Sequence, residues 1–174
     1  MRMVMIAAMV LMPLAACQSN AERQGDAAEV RGSGTKRTYA ATGFTAVELR
    51  GVDDIDVRPG AFSVTAEGDA TVLDKLDIRV VDGTLRVSRK KGSTGRQGNA
   101  KVIVVMPRVN AASLAGTGNL RIARAEGDFS ATLAGTGDLS VDALHAGKAE
   151  FNLAGTGDIS LAGTTDSLSV SIAG

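Results

Sequence analysis

Three nearly identical stretches decide the fold of this chain: SLAGTGNLRI at residues 113–122, TLAGTGDLSV at 132–141 and NLAGTGDISL at 152–161. A fourth copy begins with SIAG at residues 171–174. Successive copies are 19 or 20 residues apart. A repeat at this spacing is typical of proteins in which each structural unit packs on the next one along the chain.

Apolar and polar residues alternate on both sides of each AGTG motif. Phe129, Ala131 and Leu133 precede one motif, and Leu139 and Val141 follow it. A period of two residues indicates half-buried strands. We therefore predict an all-β fold, a parallel β-solenoid (β-helix) with coils of about 19–20 residues. An antiparallel β-sandwich is the alternative, although hairpin strands do not usually repeat one motif in register.

Each motif contains two glycines, which can adopt backbone conformations that other residues avoid and so turn the chain between strands. The predicted structural turn glycines are Gly116, Gly118, Gly135, Gly137, Gly155 and Gly157.

A polar residue follows each glycine pair: Asn119, Asp138 and Asp158. Stacked coils would place these side chains on neighbouring turns. They are candidates for a weak cation site, although Asn and Asp at turns commonly hydrogen-bond backbone N–H groups of the turn itself.

The region upstream of the repeats is β-rich and less regular. Residues 78–87 alternate around Asp82-Gly83, a pair that favours a type I′ hairpin turn. Residues 102–106 form an apolar run that ends at Pro107, as in a buried strand.

The N-terminal residues resemble an export signal. Residues 1–16 are short and apolar, with one positive charge near the start, as in a signal peptide. They lead into Leu-Ala-Ala-Cys, which resembles the lipobox of bacterial lipoproteins and implies lipidation of Cys17. Gln18 after the cysteine fits sorting to the outer membrane. Residues 17–38 are predicted to be a flexible tether, and 39–174 the folded domain.

Composition excludes several classes of function. Lys plus Arg and Asp plus Glu both total 19, so nucleic acid is not an expected partner. Aromatic residues make up 3%, too few for a base- or sugar-stacking platform. One cysteine and one histidine leave no Cys/His zinc site, and we predict neither metal nor other cofactor.

Together, the hairpin sequence VVDGTLRV, the strand VIVVMP and the LAGTGD series resemble the bacterial family described as "putative auto-transporter adhesin, head GIN domain". The resemblance covers nearly all of residues 39–174. It implies a secreted or lipid-anchored β-helical protein without established catalytic residues. Members usually carry further coils, so this chain is expected to be truncated at its C-terminal end, where an open coil could self-associate.

Other charged residues are weaker candidates. A basic stretch and its flanks could contact anionic surfaces, or form an ordinary solvated loop; it contains Arg86, Arg89, Lys90, Lys91, Arg96 and Lys101. His145 is expected to be an ordinary surface residue. A polysaccharide-cleaving site could be imagined from Asp138, Asp158, Lys148 and Arg121, but no catalytic motif accompanies them.

Three functions follow from this sequence. The first is a non-catalytic, lipid-anchored envelope module that binds a cell-surface polymer or protein. The second is a structural or envelope-stress lipoprotein on the periplasmic side of the outer membrane. The third is a β-helical carbohydrate-active enzyme.

Overall fold

The computed structural model describes Gly25 and residues 27–92 and 98–174. The predicted signal peptide and Cys17 lie outside these residues. The described chain consists of strands and one short helix, in the following order: β1 Glu29–Arg31, β2 Lys36–Ala40, β3 Ala46–Gly51, β4 Asp54–Pro59, β5 Ser63–Glu67, α1 Ala70–Leu73, β6 Leu76–Val81, β7 Thr84–Arg89, β8 Lys101–Met106, β9 Ala111–Gly116, β10 Asn119–Ile122, β11 Ala125–Glu126, β12 Phe129–Gly135, β13 Asp138–Gly155 and β14 Ile159–Ala173. The predicted all-β class is confirmed.

The strands form one large mixed sheet, in the order β1-β2-β5-β8-β4-β10-β13-β12-β9-β3-β7-β6. The long strand β13 joins the part of the sheet that ends at β10 to the part that begins at β12. It pairs with β10 and β11 near its start and with β12 near its end, while β14 runs along its other edge. Leu139 from the start of β13 and Phe151 from its end lie in the same buried core.

The repeats pair in parallel and in register. Leu114 is opposite Leu133, Leu133 is opposite Leu153, and Leu153 is opposite Ile172. Leu114 and Leu133 are fully buried, and each such side chain contributes about 1.5–3 kcal/mol through burial. Equivalent residues of successive copies therefore lie side by side in one row of the core.

A further copy of the repeat lies at the start of the folded region. Strand β3 pairs in parallel with β9, with Leu49 opposite Leu114 and Gly51 opposite Gly116. Strand β4 pairs in parallel with β10, with Ile55 opposite Leu120. The segment from β3 through β4 thus pairs as another copy of the repeat would, although it keeps little of the AGTG motif.

The sheet is mixed rather than parallel throughout, and its antiparallel pairs lie upstream of the repeats, in the part of the chain that was expected to be less regular. Strands β1, β2, β5 and β8 pair antiparallel, as do β6 and β7. The sheet is also not closed. The β6–β7 pair is the predicted hairpin, and its turn residues Asp82 and Gly83 have φ of 49° and 73°. Positive φ at both central residues is what a type I′ turn requires.

The predicted tether also needs correction, because its last residues form strands. β2 pairs antiparallel with β5, with Tyr39 opposite Val64. Tyr39 is buried, and the Arg37 Nη2 atom lies 2.6 Å from Asp74 Oδ1. Strands β1 and β2 of this polar segment form one end of the sheet, so the folded domain begins before residue 39.

Candidate functional site

The predicted turn glycines form two columns across the stacked copies. In one column, a Cβ on Gly135 would collide with the carbonyl oxygen of Gly116. In the other, a Cβ on Gly137 would collide with the carbonyl oxygen of Gly118. Gly135 also has φ of 149°, which L side chains rarely adopt. Close backbone approach therefore requires glycine at these turns.

The polar residues after the glycines form a third column. Asn119 is opposite Asp138, and the Leu139 amide donates to the Asp158 carbonyl oxygen. The Asn119 side chain and backbone amide both donate to Asp54 Oδ1, at 2.8 and 3.1 Å. Asp54 belongs to the β3–β4 copy, so it was not recognised from the sequence. Among the described residues, no group of three or more His, Cys, Asp or Glu side chains could hold a metal ion.

A buried ion pair occupies the position where the later copies have a glycine. Asp53 precedes Asp54 in the β3–β4 turn and is fully buried. Its carboxylate accepts hydrogen bonds from Arg89 Nη2 at 2.6 Å and Nε at 3.0 Å, and from the Ala100 amide at 2.9 Å. Asp53 therefore holds both ends of the insertion between β7 and β8. The same hydrogen bonds raise the pKa of Arg89.

The outward side of the parallel repeats carries mostly small side chains, and we call this surface the repeat face. Parallel register places equivalent residues in two rows. One row is polar, and the adjacent row is alanine; the members are Ser113, Thr132, Asn152 and Ser171, and Ala115, Ala134, Ala154 and Ala173. On β3 the two rows continue as Glu48 and Arg50.

Beside the repeat face lies an open groove of about 500 Å³, which we call the arginine groove. It is lined by Arg50, Asp77, Arg79, Arg86, Ser88, Arg89, Lys90 and Lys91. Four of these belong to the predicted basic stretch. The sequence did not indicate Arg50 or Arg79, because their shared face becomes apparent only when β3, β7 and β6 are paired.

Glu48 holds two of the groove arginines. Its Oε1 accepts from Arg50 Nε and its Oε2 from Arg86 Nε, both at 2.6 Å. Burial alone would raise the pKa of Glu48, but the hydrogen bonds from Arg86 and Arg50 outweigh it and lower the pKa. The carboxylate therefore stays ionised and fixes both guanidinium groups side by side.

The other predicted charged residues lie apart from the groove. Lys101 on β8 is opposite Asp54 and Glu67 in the sheet, and Arg96 lies outside the described residues. Arg121 pairs with Asp142 at 2.7 Å, and Lys148 with Glu150 at 2.6 Å. Arg121 and Lys148 were considered together with Asp138 and Asp158 as a polysaccharide-cleaving site. Both cations instead pair with acids outside that group.

Leu168, Val170 and Ile172 of β14 are exposed by 56%, 55% and 71%. Self-association through this strand stays a prediction.

His145, which was expected to be an ordinary surface residue, lies in β13, opposite Glu126 and Thr164. No helix among the described residues is long and apolar enough to cross a membrane.

The fold and these surfaces define an all-β repeat protein with a face of small polar and alanine side chains and a basic groove. Residues 43–174 match the model of the family described as "Putative auto-transporter adhesin, head GIN domain", and the chain belongs to that family. None of the curated proteins matches the sequence.

Solved structures share the fold at low sequence identity. One is a putative lipid binding protein from Parabacteroides distasonis (20% identity, TM-score 0.68), with 82% of this chain and 64% of that chain covered. A putative adhesin from the same species has 17% identity and a TM-score of 0.61, covering 81% and 70%. A putative adhesin from Bacteroides fragilis has 17% identity and a TM-score of 0.55, covering 80% and 93%. This chain thus spans less than two thirds of the first of these proteins.

Proposed function

We propose that this protein is a non-catalytic binding module of the bacterial cell envelope, of the adhesion type. The observation that carries the proposal is the repeat face, where in-register strands present a row of Ser, Thr and Asn side chains on one surface. Such a surface suits contact with an extended polymer or a protein. Membership of a family described as adhesins supports the same conclusion.

The parallel copies form, in this proposal, the coils of a β-solenoid. The in-register pairing from β3 through β14 supports it, since each copy contacts its neighbours along the stack. Extending the face then requires only another coil, and the contact area grows with the number of copies.

The anchor is a lipid on Cys17 that holds the domain at the outer membrane. The sequence of the lipobox supports this part of the proposal. Two or more acyl chains provide stable attachment without a membrane-spanning segment, whereas one chain is marginal. An envelope location also agrees with the adhesin family.

A binding role is favoured over catalysis. Neither the family description nor the names of the three solved structures denotes an enzyme. In the described residues, Arg121 and Lys148 are engaged in ion pairs with their own neighbours. These observations support a surface that recognises a ligand without transforming it.

A matched pair of threonine variants tests the repeat face. Thr132 lies in its polar row, whereas the exposed Thr136 lies in the turn that follows. We expect Thr132→Lys to reduce binding of the purified full chain to isolated envelope material, and Thr136→Lys to leave binding unchanged. Equal binding by both variants would refute the role of this face.

Protease treatment of intact cells separates the adhesion role from a periplasmic structural role. We expect the domain to be digested in intact cells. Protection until the outer membrane is permeabilised would place the domain in the periplasm and overturn an adhesive function.

A further inference from the structure

We propose that the arginine groove is a binding site for phosphate monoester groups. This inference rests on the proposed binding function and adds the chemical class of the ligand. It concerns the surface formed by β3, β7 and β6 and the two lysines that follow β7.

The arrangement around Glu48 prepares two guanidinium groups for an anion. Arg50 and Arg86 donate to Glu48 through Nε. Within the described part of the chain, no hydrogen bond uses the Nη atoms of either arginine. A guanidinium presents its N–H groups as a planar fork that matches phosphate oxygens, so these Nη atoms are suited to hold one.

The groove carries an excess of positive charge. Six of its lining side chains are cationic and one, Asp77, is acidic. Glu48 and Asp53 pair with groove arginines from outside the lining. Counting these three acids leaves an excess of three positive charges among the described residues. A phosphate monoester carries nearly two negative charges at neutral pH, which fits this excess better than a carboxylate does.

The site is held by rigid elements. Arg50, Arg86 and Arg79 project from paired strands, and Arg79 donates to both oxygens of Asp77, at 2.8 and 2.9 Å. The Arg86 side chain is 27% exposed and that of Arg89 is 15% exposed. Side chains fixed in this way lose little conformational entropy on binding, which favours affinity.

Phosphate monoesters occur on glycans and on lipid headgroups, and both would place the same oxygens in the groove. The groove is open rather than enclosed and is continuous with the repeat face through Arg50. A phosphorylated unit could therefore occupy the groove while the rest of a polymer crosses the repeat face.

Calorimetric titration of the full chain in detergent tests the proposal, with the monoester phenyl phosphate as the first probe. We expect Arg50→Gln to weaken binding by about tenfold, since a charge-assisted hydrogen-bonding pair is lost. Arg58→Gln is the matched control. The Arg58 side chain is 51% exposed and pairs with Asp56 two residues away, as the Arg50 side chain, 53% exposed, pairs with Glu48.

Arg50→Lys tests whether the groove binds phosphate through positive charge alone. Arg50→Lys keeps the charge and removes the planar fork, so we expect affinity between those of the wild type and Arg50→Gln. No binding of phenyl phosphate by the wild type would overturn the proposal. So would an equal loss in Arg50→Gln and Arg58→Gln.

Two further probes distinguish the sources of the phosphate. Stronger binding of glucose 1-phosphate than of dioctanoyl phosphatidic acid supports a phosphorylated glycan, and the reverse supports a lipid headgroup. If phenyl phosphate binding fails while Thr132→Lys still reduces envelope binding, the phosphate site is wrong and the proposed function stands. If Thr132→Lys has no effect while Arg50→Gln loses binding of phenyl phosphate, the repeat-face function fails and the phosphate site stands.

Discussion

Replacing Asp53 with alanine should destabilise the domain more than any comparable surface change. The carboxylate is fully buried and accepts three hydrogen bonds, two from Arg89 and one from the Ala100 amide. Its removal leaves a guanidinium and an amide without their acceptor. An unpaired buried charge is costly because neither water nor protein compensates for it.

The surroundings of Asp53 and Arg89 set the size of the expected loss in the free energy of unfolding. Breaking a buried ion pair from one side costs about 3–5 kcal/mol. Arg89 is 15% exposed and also donates to the Gly98 carbonyl oxygen at 2.9 Å, so its charge would keep some contact with water and one protein acceptor. We therefore expect a loss of about 3 kcal/mol in the free energy of unfolding, which corresponds to a fall in melting temperature of about 10 °C for a domain of this size.

Chemical denaturation and thermal melting measure this loss, and a second substitution separates its causes. Asp53→Ala with Arg89→Leu removes both charges, so it should be less destabilised than Asp53→Ala alone. Asp56→Ala, on the exposed pair with Arg58, should lower the melting temperature by less than half as much. A loss below about 1 kcal/mol in Asp53→Ala would show that this pair does not hold the β7–β8 insertion in place.

Three other predictions concern the turn glycines, the ion pairs of Glu48 and the lipid anchor. Gly135→Ala should lose about 2 kcal/mol more than Gly51→Ala, because both residues have positive φ but only Gly135 faces a neighbouring carbonyl; equal losses in denaturation would contradict the role of close backbone approach. Glu48→Gln should be less stable than the wild type at neutral pH. Since folding lowers the pKa of Glu48, its stabilisation is complete above its unfolded pKa of about 4.3 and is lost as the pH falls through the lower folded value. A stability difference between the wild type and Glu48→Gln that does not shrink at acid pH would refute the stabilising role of the ionised Glu48. Cys17→Ala should release the protein from membranes without changing its melting temperature, and retention on membranes after a high-salt wash would contradict a lipid anchor.

The repeats were predictable because several residues in each copy are identical. The apolar positions identified strands, and the glycine pairs identified turns, without knowledge of the register. The β3–β4 copy was not predictable in the same way. It keeps Gly51 but replaces the second glycine with Asp53, and it can be aligned only through its pairing with β9 and β10.

The basic groove was only partly predictable for a similar reason. Lys90 and Lys91 are neighbours in the sequence, so they stood out as a charged run. Arg50 and Arg79 lie on different strands, each in an ordinary alternating pattern. Strands β1 and β2 were missed because their composition is polar, and their stability comes from pairing with strands distant in the sequence.

The position of the β3–β4 copy has a consequence for the order of folding. The later copies pair across 19 or 20 residues, whereas Ala46 on β3 pairs with Ala111, 65 residues further along. Closing the longer loop costs about 1 kcal/mol more in chain entropy. Nucleation should therefore begin among the C-terminal copies, with docking of β3 as a later step, because contacts that are distant in sequence slow folding. The first copy in the chain would then be among the last to reach its native neighbours.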